Sequence, residues 1–95
     1  MDFKEYQEFA SWDVKPGYDL KVFGLGLGGE TGEVLEILKK AFRDEKPIDT
    51  DHLAEELGDV LWYVANICSR CGLLLQDVID QNVSKLKERY KWRKV

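Results

Sequence analysis

Residues 55–63 read Glu55-Glu56-Leu57-Gly58-Asp59-Val60-Leu61-Trp62-Tyr63, and the interpretation of the whole chain depends on this stretch. In a helix each residue advances by about 100°, so Glu56 and Asp59 lie one turn apart on the same side. The neighbouring stripe is apolar and consists of Leu53, Leu57, Val60, Leu61 and Val64. The two carboxylates therefore border the apolar seam along which this helix is predicted to pack.

The segment Gly29-Glu30-Thr31-Gly32-Glu33-Val34-Leu35 repeats this arrangement upstream. Glu30 and Glu33 share one face, which is flanked by the apolar residues Phe23, Leu27, Val34, Ile37, Leu38 and Ala41. Residues 34–55 leave room for the rest of one helix, a turn and the start of an antiparallel partner. Two helices packed along these stripes bring four carboxylates together, which repel one another unless cations neutralise them. Because Mg²⁺ prefers carboxylate oxygen, the pattern predicts a magnesium site, and a solvated acidic face is the alternative for either pair alone.

The composition indicates one small folded domain, residues 1–95, with 44% hydrophobic and 34% charged residues. A chain of this length has a small core, and a partner subunit would help it to bury enough surface. The net charge of −4 argues against binding of duplex nucleic acid, which requires a basic face. No apolar run approaches the roughly 20 residues that span a bilayer, and residues 1–5 have neither a basic lead nor an apolar signal core, so a cytoplasmic location is expected.

Helical spacing of apolar residues predicts four helices, over about 2–13, 20–43 (or 21–43), 51–71 and 76–92. Pro16-Gly17, Pro47 and Gly72 interrupt the pattern between them. The second helix contains poor helix formers, Gly24, Gly26, Gly28, Gly29 and Gly32, which predicts close approach of a neighbouring helix or ligand. Those glycines also satisfy the dinucleotide-binding pattern G-x-G-x-x-G, but no second strand follows, so a Rossmann fold is rejected.

Three further features have less bearing on function. Cys68 and Cys71 form a C-x-x-C without a second cysteine pair, and we interpret them as reduced thiols instead of a redox pair or half a zinc site. His52 shares the Glu56 side but begins a helix, where a surface role in the capping region is expected. Trp62 points away from the predicted seam, which indicates a second buried interface and is consistent with oligomerisation.

The two acidic pairs resemble the MazG-like nucleoside triphosphate pyrophosphohydrolases, an all-α family marked by E-x-x-E followed by E-x-x-D. The similarity runs from about Leu25 to Tyr90 and includes Asn-x-x-Lys-x-x-x-Arg at residues 82–89. It implies a bundle of four to five helices completed by homo-oligomerisation, as a homodimer or a dimer of dimers. It also implies that the catalytic, metal-binding residues are Glu30, Glu33, Glu56 and Asp59, with Mg²⁺ as the ion and Mn²⁺ as an alternative.

The reaction implied by this resemblance converts a nucleoside triphosphate (NTP or dNTP) and water to the monophosphate and pyrophosphate, in nucleotide-pool house-cleaning. Candidate substrate contacts are Lys40, Tyr63, Asn82, Lys85 and Arg89, each with a solvated or structural role as the alternative. Glu36 and Glu55 are nearby candidates for the general base, and neither can be preferred. The aromatics Phe9, Trp12 and Tyr18 have no spacing that matches a base clamp, so base specificity stays open. Two other functions remain: hydrolysis of phosphoribosyl-ATP, and a catalytically silent helical nucleotide-sensing or interaction module.

Overall fold

The computed structural model describes residues 1–11 and 13–91, and within them the secondary structure is helical, with turns and connecting segments between the helices. The helices are α1 (Phe3–Phe9), α2 (Asp19–Asp44), α3 (Thr50–Arg70) and α4 (Leu75–Arg89). The predicted all-α fold class is therefore confirmed.

Helices α1 and α4 are shorter than the sequence predicted. A capping box starts α1: the Glu5 N–H donates to Asp2 Oδ1 over 2.8 Å, and the Asp2 N–H donates to Glu5 Oε1 over 3.1 Å. The helix ends before residue 13 because Ala10 turns out of helical geometry (φ −76°, ψ 78°) and is buried in the core. Helix α4 ends at Arg89 and not at residue 92. Two tryptophans of these predicted helices, Trp12 and Trp92, lie outside the described residues.

Helices α2 and α3 form a long antiparallel hairpin, the most extensive contact in the fold. Asp49 begins α3 by accepting a hydrogen bond from the His52 N–H over 3.2 Å. At the far end of the hairpin, Arg70 pairs with Asp19, with Nε 3.1 Å from Oδ2. The same guanidinium lies over the ring of Phe23, 5.6 Å from its centroid, and Phe23 is fully buried. The Arg70–Asp19 pair thus joins α2 to α3 at this end, and the short connection of residues 45–49 joins them at the other.

A second layer, formed by α1 and α4, packs on the side of α3 that faces away from α2. Its core consists of Ala10, Ala65, Cys68 and Leu75, flanked by Tyr6, Trp62, Val64, Val78 and Ile79. The edge of Phe9 meets the face of Trp62, with ring centroids 6.0 Å apart. The second buried interface predicted at Trp62 therefore exists within the chain.

The apolar seam is narrower than the sequence predicted. Three residues assigned to it are exposed to solvent, at 38% for Leu38, 45% for Leu57 and 54% for Leu61. Leu57 and Leu61 lie one turn apart on the edge of α3, and Leu61 lines an apolar groove between α1, α3 and α4 that no described residue fills. Their assignment to the seam was wrong because α2 covers only part of the apolar stripe of α3.

Gln7 of α1 fastens the two ends of the α3–α4 turn. Its Nε2 donates to the Leu73 carbonyl over 2.8 Å and to Ser69 Oγ over 3.1 Å, and its Oε1 accepts from the Leu75 N–H over 2.8 Å. Residue Leu74, at the N-cap of α4, has no side chain that can cap the helix. Gln7 therefore caps α4 from a distant part of the sequence, a contact that no local pattern indicates.

We expect Gln7→Ala to lower the free energy of unfolding by about 1–3 kcal/mol, because it leaves the Leu75 N–H and the Leu73 carbonyl without their partner. Urea unfolding followed by circular dichroism measures this change. The matched control is Glu8→Ala, a change at the next, exposed residue of α1, which should stay within about 0.5 kcal/mol of the unmodified protein. Equal losses in both variants would contradict the capping role of Gln7.

Candidate metal centre

Three carboxylates meet across the α2–α3 hairpin. Glu30 lies on α2, and Glu56 and Asp59 lie one turn apart on the facing side of α3. One oxygen from each of the three carboxylates lies within 4.8 Å of the others. The antiparallel register of the hairpin is what places Glu30 opposite the Glu56–Asp59 pair.

The carboxyl group of Glu30 is held in an environment that disfavours its negative charge. Its pKa is raised from 4.5 to about 7, first because a hydrogen bond with Glu56 favours the protonated form, then because it is partly desolvated. The negative charges of Glu56, Asp59 and Glu33 raise the pKa further. Its Oε2 is buried, and no described residue offers it a hydrogen bond. With its pKa raised to about 7, Glu30 is therefore only partly ionised near neutral pH, and its proton occupies a place that a cation could take.

The donor set fits a hard divalent cation. All three groups offer carboxylate oxygen, which Mg²⁺ and Ca²⁺ prefer over nitrogen or sulfur ligands. The unpaired Oε2 of Glu30 gives an independent reason, since a buried oxygen without a partner is stabilised by a bound ion. The geometry of the described residues thus accommodates a metal ion between α2 and α3.

Glu33, the fourth predicted ligand, lies outside this group of three. It is exposed and lines an adjoining groove of about 320 Å³, which we call the lysine groove. The groove is lined by Glu33, Glu36, Ile37, Lys40, Ala41, Asp44, Lys46, Pro47, Asp49 and His52. The structure thus places Lys40, a predicted substrate contact, beside Glu33. Metal binding by Glu33 stays a prediction, and its charge reaches the cluster through its effect on the pKa of Glu30.

His52 lies closer to the centre than sequence reasoning indicated. Its Nε2 is 3.4 Å from Glu56 Oε1, and its ring also lines the lysine groove. The i, i+4 spacing to Glu56 was the available signal, and the expected surface role in the capping region gave it too little weight. A polar partner of this kind orients the carboxylate that it contacts.

A second recess, which we call the aromatic recess, opens on the other side of the carboxylates. It has a volume of about 340 Å³ and is lined by Glu30, Asp59, Trp62 and Tyr63. Tyr63, a predicted substrate contact, follows Asp59 by one turn and lies beside it. Sequence reasoning missed Trp62 in this position, although its i+3 spacing from Asp59 gave a signal. The three carboxylates are therefore flanked on one side by a groove of mixed charge, which holds two lysines and four acids, and on the other by aromatic rings.

The three α4 residues proposed from the sequence lie away from both recesses. Asn82 lines the apolar groove between α1, α3 and α4. Lys85 and Arg89 are exposed, and among the described residues neither lines the lysine groove or the aromatic recess. Helix α4 packs on α1 and α3, so a single copy of the chain does not bring these residues to the carboxylates.

The glycines of α2 were predicted to allow close approach of a neighbouring helix or ligand, and the structure confirms such an approach at one of them. A Cβ added at Gly26 would overlap the ring of Tyr63, whereas one added at Gly24, Gly28, Gly29 or Gly32 meets no described atom within 4 Å. All five glycines lie within one helix, which removes the strand that a dinucleotide-binding turn requires. Cys68 and Cys71 are free, and burial raises the pKa of the Cys68 thiol, as expected for an unreactive side chain.

The described residues thus form an all-α protein whose central hairpin presents clustered carboxylates between two recesses. Comparison with known families assigns residues 21–94 to the MazG nucleotide pyrophosphohydrolase domain, and the chain belongs to that family. This confirms the resemblance drawn from the two acidic pairs.

The chain is also similar to a curated phage protein. The chain is 41% identical over 69 residues to the Gene 37 protein of Mycobacterium phage L5, an alignment that covers 68% of this chain and 60% of that protein. The chain thus spans less than two thirds of this relative. No solved structure matched the chain. In the part of the chain that the structure describes, no helix combines the length and the apolar character needed to cross a bilayer.

The raised pKa of Glu30 predicts how the metal-free protein responds to pH. Because the pKa is higher in the folded state, the stability contributed by this group is full below about pH 4.5 and is lost as the pH rises through about 7. In EDTA, we expect Glu30→Gln to raise the melting temperature by several degrees at pH 8.5 and by much less at pH 5. Differential scanning calorimetry at both pH values measures the two differences.

The matched control for this experiment is Glu55→Gln, an exposed change on α3 at a residue that does not contribute to the pKa shift of Glu30. Its effect on the melting temperature should be the same at both pH values. A Glu30→Gln effect that is equally independent of pH would show that Glu30 titrates normally in the folded protein.

Proposed function

We propose that this protein hydrolyses a nucleoside or deoxynucleoside triphosphate to the monophosphate and pyrophosphate, with Mg²⁺ as the cofactor. Mn²⁺ is the expected substitute, and a cytoplasmic role in clearing the nucleotide pool is part of the same proposal. The observation that carries it is the cluster of Glu30, Glu56 and Asp59, which lies inside the region matched by the family. Membership of that family supports the reaction class, and the carboxylate donors support the ion.

In this proposal Glu30, Glu56 and Asp59 hold the metal, and Glu33 joins them from the lysine groove. Mg²⁺ bound there would supply neutralisation of the phosphate charge and a bound water of lowered pKa. His52 keeps the carboxylate of Glu56 in place through its contact with Oε1. The Glu30 carboxyl group gives up the proton that it holds near neutral pH when the ion binds.

The two recesses suggest how the substrate lies across the centre. Lys40 and Lys46 offer ammonium groups on one side, in a groove that they share with four carboxylates, and phosphate oxygens would bind there at the two ammonium groups. Trp62 and Tyr63 offer ring faces on the other side, where a nucleobase or sugar can pack. We therefore place the leaving pyrophosphate toward the lysine groove and the nucleoside toward the aromatic recess, with the α-phosphorus beside the three carboxylates.

We expect Asp59→Asn to lower kcat by at least about 100-fold while leaving the fold intact, because it removes a charged metal ligand without changing its size. The measurement is pyrophosphate release from a panel of canonical and modified NTPs and dNTPs, with Mg²⁺ and with EDTA. The control is Asp51→Asn, an exposed residue in the first turn of the same helix, which should retain activity. A folded protein that releases no pyrophosphate from any member of the panel would overturn the proposal.

We further propose that a second copy of the chain completes the bundle. Leu35, Leu38 and Phe42 recur at helical spacing on one side of α2. Leu35 is 61% exposed and Phe42 is 88% exposed, which is unusual for a monomer with so small a core. In such an assembly, Lys85 and Arg89 of one copy would contact the substrate at the carboxylates of the other copy.

Phe42→Lys should shift the protein from a dimer or tetramer to a monomer, because it places a charge at the most exposed apolar residue of this α2 surface. Size-exclusion chromatography with light scattering measures the mass of each variant. Leu73→Lys, at a half-exposed leucine in the α3–α4 turn, is the control and should keep the assembly. An unmodified protein that is monomeric throughout the concentration range would contradict this assembly.

A further inference from the structure

The ring of Tyr63 lies directly against the backbone of α2 at Gly26. A Cβ built at Gly26 would overlap three atoms of that ring, Cε1, Cζ and Cδ1. The overlap involves the body of an aromatic ring rather than the tip of a flexible chain, so the ring would have to move as a unit. No residue other than glycine is compatible with the observed position of Tyr63.

The other glycines of α2 provide an internal comparison. A Cβ at Gly28, two residues further along and on the opposite side of the helix, meets no described atom within 4 Å. Glycine is the least favourable helix residue after proline, so its use inside a long helix calls for a local reason. At Gly26 the local reason is the ring of Tyr63, which occupies the space that a Cβ would need.

That side chain lies at the candidate active centre. Gly26 precedes Glu30 by one turn of α2, and Tyr63 follows Asp59 by one turn of α3. The contact between Gly26 and Tyr63 is therefore one turn away from the contact between the acids. Tyr63 lines the aromatic recess together with Glu30, Asp59 and Trp62, so any rotation of its ring changes the shape of that recess.

We propose that Gly26 is a positioning residue for nucleotide binding, acting through Tyr63. This inference rests on the proposed function, because it takes the aromatic recess as the place where the nucleoside part of the substrate binds. A methyl group at position 26 displaces the Tyr63 ring from α2 into the recess and reduces the room for the ligand. The metal-holding carboxylates keep their places, because neither Gly26 nor Tyr63 belongs to the group of three.

The test is a double-mutant cycle with Gly26→Ala, Tyr63→Ala and the two combined. The probes are the α,β-methylene analogues of the four deoxynucleoside triphosphates, which cannot be cleaved at the α-phosphorus, and Mn²⁺ alone. Isothermal titration calorimetry gives the dissociation constant of each probe. Gly28→Ala adds the same methyl group to the same helix on the opposite side and is the matched control.

We expect Gly26→Ala to weaken binding of the analogue by about 10-fold or more, while binding of Mn²⁺ alone changes by less than about 2-fold. In the Tyr63→Ala background the same change should weaken the analogue by less than about 2-fold, since the ring that it displaces is gone. Gly28→Ala should bind both probes as the unmodified protein does. A merely structural role for Gly26 would weaken Mn²⁺ binding as well and would persist without Tyr63.

Two results would overturn the inference: effects of Gly26→Ala and Tyr63→Ala that add in full, or a Gly26→Ala variant that binds the analogue normally. Failure of the proposed function is recognised separately, by the absence of pyrophosphate release from the unmodified protein. Coupling between positions 26 and 63 in a protein that binds the analogues without hydrolysing nucleotides would uphold the positioning role and reject the reaction. Pyrophosphate release by a protein in which positions 26 and 63 are not coupled would uphold the reaction and reject the positioning role.

Discussion

The repulsion between carboxylates on facing helices is the constraint on which the rest of the structure depends. Glu30, Glu56 and Asp59 crowd three acidic groups into one space, and the fold must hold them there in the absence of a cation. The hairpin of α2 and α3 does so through the Arg70–Asp19 pair at one end and the short connection of residues 45–49 at the other. Partial protonation of Glu30, whose pKa is raised to about 7, relieves part of the repulsion that remains.

The same constraint explains the division of the molecule into two layers. One face of α3 carries the acids and packs on α2, while the other face buries Ala65 and Cys68 under α1 and α4. The second layer contributes apolar burial, which offsets the cost of holding like charges together. Trp62 of α3 links this layer to the candidate site, because its ring contacts Phe9 of α1 and also lines the aromatic recess. Stability and the candidate site are therefore coupled through α3.

The sequence predicted the parts of this arrangement that follow from helical periodicity. The spacing of Glu56 and Asp59 placed both on one face, and the length of residues 34–55 suited a hairpin, so the approach of these two acids to Glu30 could be predicted from spacing. Glu33 was expected in the same cluster, and it lies outside the group of three. The width of the apolar seam between α2 and α3 could not be predicted in this way. Leu57 and Leu61 keep helical spacing, yet both are exposed because α2 does not cover them. Contacts between the two layers could not be predicted either, because no local sequence pattern indicates that the side chain of Gln7 bonds to the α3–α4 turn. His52 and Trp62 have helical spacing to Glu56 and Asp59. Only the three-dimensional structure shows that His52 lines the lysine groove and that Trp62 lines the aromatic recess.

The cap that Gln7 supplies has a consequence for the order in which the chain folds. Gln7 and Leu75 are 68 residues apart in the sequence, so their hydrogen bond forms only after a long loop has closed. The α2–α3 hairpin needs shorter loops and can assemble before that event. The Leu75 N–H at the first turn of α4 gains its hydrogen-bond acceptor only when α1 docks. Docking of α1 and completion of this turn of α4 therefore belong to the same late folding step. A cut or insertion between them would thus delay α4 even where it leaves every residue of α4 unchanged.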